Sequence, residues 1–418
     1  MFKNLSMSEI SSLIHKKDAK PSEVCSYFIS CAKKDNSSMR TFNYINEEAA
    51  MNTGKELDVQ PEPSSDVFGI PIAVKDNICT VDMPTTCSSF MLKNYFSPFD
   101  ATAILNLRNA GAVIMGKTNM DEFGLGYKFD GTAKAVASGL APGGISSDTG
   151  GTLLFPAASC GVIGYRPSYG LVSRHGLIAN AGSFDQIGIV AKTVNDVRKL
   201  ASVICSFDAN DSTSQPNITP DFSVDDDFDL KGKKVGIFSN SEIVAQKVIN
   251  SLGAELINIC LPSIEYCQMA FCTIMLAEAS SNLSKFDGVR FGHRSANSSD
   301  VDSLYINSRT EGFGLLAKEH IIAGNYILSS GNYDPYYRKA RILQSMIVKE
   351  LAEAFKNCDV ILAPILPDEE CLDYAALASL GKLPAVALPG AVQLIGKRFD
   401  DANMLKFAHL LEKAGEPR

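Results

Sequence analysis

Ser146-Ser-Asp-Thr-Gly-Gly-Thr-Leu-Leu-Phe-Pro-Ala-Ala-Ser-Cys-Gly161 is the most informative stretch of this 418-residue chain. Two consecutive glycines let a backbone take positive φ and approach a ligand closely. Successive N–H groups at Thr149, Gly150 and Gly151 then point into one concavity, the arrangement of an oxyanion hole. Thr152 follows at once and sets a hydroxyl where acyl transfer requires a nucleophile. The same residues also suit a glycine-rich turn ahead of a proline-initiated helix, and the segment alone leaves both readings open.

Upstream, Phe68-Gly-Ile-Pro-Ile-Ala-Val-Lys75 is a short apolar run ending in a charge. It predicts a buried strand that presents Lys75 at its end. Desolvation favours the neutral amine, which is a general base. Alternatively, Lys75 pairs with a carboxylate such as Asp76. A base, a hydroxyl and backbone donors together are the parts of an acyl-transfer site.

Further outward, Ser138 to Gly188 is rich in glycine, small residues and hydroxyls, which excludes an amphipathic helix and predicts a packed, backbone-rich core around a site. Asp100 is positioned to cap a helix through Leu107 that stops at Gly111, before a strand at Val113-Ile-Met115. Ser6 and Pro21 open two N-terminal helices. Val235-Gly-Ile-Phe238, a helix from Ser241 to Leu252 and Leu256-Ile-Asn-Ile259 form a β-α-β unit. Long helical patterns at about 263–286, 300–327 and 335–356 follow. Strands at Val360-Ile-Leu362, Ala385-Val-Ala-Leu388 and Val392-Gln-Leu-Ile395 and a helix from Asp401 to Glu412 close the chain. This alternation predicts an α/β fold, a mixed twisted sheet covered by helices on both faces.

Gly111-Ala-Val-Ile-Met-Gly116-Lys117-Thr118 matches the phosphate-loop expression G-x-x-x-x-G-K-[ST]. Its four variable residues have the character of a buried strand, and a helix precedes the match instead of following it. It is read as structural.

Composition bounds the rest. Apolar residues make up 45% and charged residues 21%, which excludes global disorder. The net charge of −8 argues against gripping nucleic acid through the overall field. No run is long and unbroken enough to span a bilayer. Met1 to Lys17 lacks the apolar segment of a signal peptide. The eleven cysteines include no C-x-x-C pair and none has metal-ligand spacing to a histidine, so neither a zinc site nor a disulfide framework is expected.

Pro71-Ile-Ala-Val-Lys-Asp-Asn-Ile78, Thr85-Thr-Cys-Ser88, Gly116-Lys-Thr-Asn-Met-Asp-Glu-Phe123, Ser147-Asp-Thr-Gly-Gly151 and Pro167-Ser-Tyr-Gly-Leu-Val-Ser-Arg174 resemble the amidase signature family. Ser183-Phe-Asp-Gln-Ile-Gly188, Lys285-Phe-Asp-Gly288, Ser308-Arg-Thr-Glu-Gly-Phe313 and Leu394-Ile-Gly-Lys397 extend the likeness nearly to the C-terminus. They are similar to the branch of A-type subunits that serves glutamine-dependent amidotransfer. The resemblance implies an amidase-signature domain at 61–418, with helices of residues 1–60 packed on it and a surface excursion at 207–229. It implies a triad of lysine, a serine in a cis peptide bond and a nucleophilic serine. Lys75 is then the base, Thr152 stands in the nucleophile's position, and Thr149, Gly150 and Gly151 form the oxyanion hole. The implied activity is hydrolysis of glutamine to supply ammonia for conversion of Glu-tRNA(Gln) to Gln-tRNA(Gln). The implied assembly is a heterotrimer with B and C subunits, in which the tRNA is held mainly by the B subunit. ATP and magnesium are used by the complex, and this chain binds no metal or cofactor and no membrane. Two alternatives stay open: a stand-alone amidase on another carboxamide, and a catalytically impaired scaffold subunit of the same complex.

The chain departs from the family pattern at several compact places. Threonine replaces the nucleophilic serine at Thr152, and its β-methyl restricts χ1. Between Phe123 and Ala135 the family's Gly-Gly-Ser-Ser-Gly-Gly is missing, and the cis-serine position falls on Lys128. The arginine that binds the substrate carboxylate falls on Gln344, with Arg341 one turn earlier as the candidate. The spans before Leu383-Pro-Ala-Val386 and between Pro389 and Gln393 are shortened. Such losses mean either skipped coding segments or a decayed catalytic subunit. Val172-Ser-Arg-His-Gly-Leu177 and Phe291-Gly-His-Arg294 resemble animal mitochondrial forms, so the expected location is the mitochondrial matrix, or the cytoplasm if the source is bacterial.

Overall fold

Residues 2–60, 62–63, 65–127, 129–223, 227–238, 245–365 and 372–415 are described by the computed structural model. Among them, eleven strands form one sheet: β1 (Phe42–Ile45), β2 (Pro71–Lys75), β3 (Val113–Thr118), β4 (Gly143–Asp148), β5 (Ile163–Arg166), β6 (Gln186–Ala191), β7 (Lys234–Phe238), β8 (Glu255–Ile259), β9 (Val360–Pro364), β10 (Ala385–Leu388) and β11 (Val392–Gly396). Their order is β1-β3-β2-β4-β6-β5-β10-β11-β9-β7-β8. The sheet is mixed, as expected: β2 runs parallel to β3 and β4, whereas β4 is antiparallel to β6.

Both faces are covered. Side chains alternate across a strand, and here the alternation divides them between two apolar cores. Val360 and Leu362 enter one core, and Ile361 and Ala363 enter the other. The helix Met7–His15, capped reciprocally by Ser6 and Glu9, brings Ile10 and Ile14 to the first core, and Pro21–Met39 adds Val24 and Phe28. Cys267–Leu283, Leu315–Leu328, Lys339–Ala354 and Leu372–Gly381 cover the other face. Residues 1–60 supply more than helices, because β1 pairs with β3 at the sheet edge.

Several local expectations need correction. The pattern at 300–327 is two helices, Val301–Gly312 and Leu315–Leu328, broken where Phe313 and Gly314 are extended and Glu122 accepts the Gly314 N–H. Asp100 does not cap the helix Thr102–Asn109; it accepts the Val81 N–H and pairs with Arg108. The helix after β7 spans Ala245–Ser251, and the expected start at Ser241 lies outside the described residues. The excursion at 207–229 does run mostly over the surface in its described residues, tied down where Asp208 accepts hydroxyls from Thr102 and Ser173 and where Phe222 is buried.

Candidate active site

β2 lies between β3 and β4 and ends at Lys75. Its five residues are all buried, so the lysine reaches the strand end with 1% of its surface exposed. Its partner is Asp130, at 3.0 Å, and its Nζ also donates to the Ser147 carbonyl at 2.9 Å. The expected alternative partner, Asp76, faces elsewhere and accepts from Asn43 and Thr86. Successive residues leave a strand on opposite sides. Lys75 thus has a carboxylate partner, as the alternative expected, but it is Asp130 and not Asp76.

Asp130 is engaged on both oxygens. One accepts Lys75 and the Ser146 hydroxyl at 2.6 Å. The other accepts the N–H groups of Thr132 and Ala133, capping the helix Gly131–Ala137. Lys128, onto which the cis-serine position aligned, lies outside the described residues.

The glycine-rich segment follows β4 directly. The Thr152 hydroxyl donates to the Ser147 carbonyl at 3.1 Å, so Lys75 and Thr152 meet on one acceptor. Of the three expected oxyanion donors, the Thr149 N–H faces the Thr152 hydroxyl at 3.4 Å. The Gly151 N–H is turned to the Asp148 carboxylate at 3.2 Å. Only Gly150 has no N–H acceptor among the described residues. Glycine is required at 150 because a Cβ would collide with the Phe271 ring, and at 151 by a φ of +98°.

Arg166 holds the turn from below. Its guanidinium binds the Asp148 carbonyl and carboxylate and the Phe184 carbonyl, all buried. From the side, the Thr149 hydroxyl donates to Asp185 at 2.7 Å and the Ser379 hydroxyl donates to the Thr149 carbonyl. Burial pushes the Asp185 carboxyl up to about 6, against the hydrogen bonds from Thr149 and Asn180. None of Asp130, Arg166 or Asp185 was singled out from sequence; the Asp130-Gly-Thr-Ala run carried only a helix-start signal.

Thr149, Gly150 and Thr152 line a cavity of about 400 Å³. Its other walls are mainly apolar, with Leu125, Tyr127, Phe271 and Met275, and Asp121, Gln268 and His320 supply polar groups. Arg341 is exposed and does not line this cavity, and Gln344 is buried with its amide on the Leu380 carbonyl. The structure thus brings Lys75, Thr152, Thr149 and Gly150 together and leaves Arg341 apart.

A hydroxyl on a glycine-rich turn, near a strand-end lysine and on the wall of a largely apolar cavity, defines the class: an α/β protein with the parts of an acyl-transfer site. The family model described as Amidase matches residues 23–130 and 130–373, and the chain belongs to that family. It is 38% identical to the A subunit of glutamyl-tRNA(Gln) amidotransferase from Persephonella marina, over 98% of this chain and 96% of the relative. The corresponding protein of Caldanaerobacter subterraneus is 37% identical, with the same coverage. The alignment with the first covers 468 positions, more than the chain has residues, so this chain skips positions that the relative has. Among solved structures, the A subunit from Thermotoga maritima superposes with a TM-score of 0.79 at 30% identity, covering 100% of this chain and 96% of that one. The peptide amidase of Stenotrophomonas maltophilia shares the fold, with a TM-score of 0.83 at 21% identity over 99% and 97% of the two chains.

Proposed function

We infer that this chain is the A-type component of a glutamyl-tRNA(Gln) amidotransferase, hydrolysing glutamine and passing ammonia to a B subunit in a complex with B and C subunits. The observation that carries this reading is the Thr152 hydroxyl on the wall of the cavity, in a chain alike along its length to such proteins. Thr152 Oγ1 attacks the carboxamide carbon, ammonia leaves, and water then hydrolyses the acyl-threonine. Gly150 N–H supports the oxyanion, the proton of the Thr152 hydroxyl passes to the departing amide nitrogen, and Lys75, which shares the Ser147 carbonyl with Thr152, is the nearby base proposed to carry it. Arg341 could meet the substrate carboxylate only by moving to the cavity. ATP and magnesium serve the amidation step of the complex. The two motifs similar to animal mitochondrial forms support the mitochondrial matrix, whereas the relatives named above are bacterial and support the cytoplasm for a bacterial source.

One observation favours a second reading, a scaffold role with slow hydrolysis. Lys75 Nζ is held by Asp130 and the Ser147 carbonyl, and the Thr152 hydroxyl donates to that same carbonyl instead of to the lysine. The family match divides at residue 130, inside the Phe123–Ala135 span, which supports a lost segment there. Co-expression with B and C subunits tests both. Glutamine hydrolysis and Gln-tRNA(Gln) formation support the first reading. A stable complex that forms Gln-tRNA(Gln) only from added ammonia supports the second.

A further inference from the structure

We propose that the cleft between Phe90–Tyr95 and Gly292–Arg294 binds a nucleotide, free or as the unpaired end of an RNA, with its base against Phe90 and His293 and its phosphate on Lys93 and Arg294. The cleft has a volume of about 440 Å³ and, among the described residues, is lined by these two segments. Phe90 is 48% exposed, although its neighbours Met91 and Leu92 are buried. The His293 ring stands 4.7 Å from it at an interplanar angle of 63°. His293 packs against this ring and Lys93 lies over it, so a base stacks on Phe90 by displacing the exposed Lys93 ammonium, whatever the base's identity.

The charges suit the rest of a nucleotide. Lys93 sits over the Phe90 ring at 5.3 Å, and Arg294 is exposed on the facing segment. Neither is paired with a carboxylate among the described residues. The nearby acid, Glu311, is occupied by His293 at 2.7 Å and by the Ser295 hydroxyl at 2.7 Å. These hydrogen bonds hold its carboxyl below the usual range. Asn94 and Tyr95 add polar groups to the wall. The cleft is also pre-organised. The His293 N–H donates to the Met91 carbonyl at 2.7 Å, and Gly292 takes a φ of +85° where a Cβ would collide with Met91. The overall charge of −8 does not oppose a site this local, because screening confines charge effects to about 8–10 Å in physiological salt.

The test is fluorescence anisotropy on the full chain with a labelled tetraribonucleotide, with AMP and inorganic phosphate as competitors. The oligonucleotide is expected to bind, more weakly as salt rises. Phe90→Leu should weaken it about tenfold, the typical worth of one stacked base. Lys93→Gln and Arg294→Gln should each weaken it several-fold with a shallower salt dependence. All three side chains are exposed, so unchanged denaturation midpoints will certify the folds. Displacement by AMP identifies a free nucleotide as a sufficient ligand, and displacement only by unlabelled oligonucleotide identifies an RNA end. The proposal is overturned if neither probe binds, if the three variants bind like the parent, or if phosphate competes as well as AMP while Phe90→Leu changes nothing.

Discussion

Lys75 Nζ lies 3.0 Å from Asp130 Oδ2, and both side chains are withdrawn from water. The two residues come from different elements, the end of β2 and the start of the helix Gly131–Ala137. The contact decides what kind of lysine the site has. Its Nζ is committed to this carboxylate and to the Ser147 carbonyl, so its position is fixed from two elements at once. The same carboxylate caps a helix and binds Ser146. Stability and chemistry therefore meet in one pair.

Lys75→Met is expected to lower stability by about 3–5 kcal/mol, because it leaves Asp130 buried and unpaired. Lys75→Met combined with Asp130→Asn should recover part of the loss, since Asn still caps the helix. Urea denaturation of the two variants checks this, and an unchanged midpoint for Lys75→Met would refute the ion pair. If stability falls while hydrolysis stays intact, Lys75 holds the fold and takes no part in proton transfer.

Thr152→Ser keeps the hydroxyl and removes the β-methyl that limits its rotation. The expected result is a glutaminase rate in the complex higher by about tenfold, or about 1.4 kcal/mol of barrier. Thr152→Ala should abolish whatever hydrolysis the parent has. The parent itself is expected to fall at least ~10²-fold below a complete family member, the worth of one impaired proton-transfer element. A steady-state glutaminase assay with B and C subunits present decides all three. Equal rates for the Ala variant and the parent would remove Thr152 from the mechanism.

What could be read from sequence follows from how local each signal is. The apolar run ending at Lys75 announced β2, and the strand-like interior of Gly111 to Thr118 announced β3. Asp130 was illegible as a partner because 55 positions of chain separate it from Lys75, while Asp76 stood next to the lysine in sequence and on the wrong side of the strand. β4 gave no strand signal because Gly-Gly-Ile-Ser-Ser-Asp lacks the β-branched alternation of a half-exposed strand; all six residues are buried between β2 and β6. The cavity was half legible. Its glycine-rich floor is contiguous in sequence, but the wall residues Phe271 and His320 arrive from separate helices.

Asp185 should give the fold a measurable pH dependence. Its carboxyl is raised from 3.8 to about 6, so between these values the native state holds a proton that the unfolded state has released. Stability from this group is complete below about pH 4 and declines as pH rises through 6, by about 3 kcal/mol for a shift of roughly two units. Asp185→Asn removes the titration and can still accept the Asn180 N–H while donating to the Thr149 hydroxyl. The variant is expected to gain on the parent from pH 4 to about pH 6 and to hold a constant difference above that. Parallel denaturation midpoints across that range would show that Asp185 titrates as an ordinary carboxyl.

Lys117 shows why the phosphate-loop match is structural. β3 carries it in fully buried strand, paired on both sides with β1 and β2, so the backbone N–H groups of Val113 to Thr118 have no freedom to cradle an anion. Its Nζ donates to the Ile78 carbonyl and, at 2.9 Å, to the Thr85 hydroxyl, with Asp76 at 3.9 Å. Burial lowers its pKa, and Asp76 opposes the shift. Lys117→Met should therefore act on the fold, costing about 1–3 kcal/mol for the acceptors it leaves unsatisfied. Asp76 keeps its bonds from Asn43 and Thr86, which limits the loss. Any response of the chain to ATP should be the same in Lys117→Met as in the parent, and should instead fall in Arg294→Gln. Calorimetric titration of the three proteins separates the sites: sub-millimolar ATP binding that vanishes with Lys117 would mean that β3 opens to form a phosphate loop.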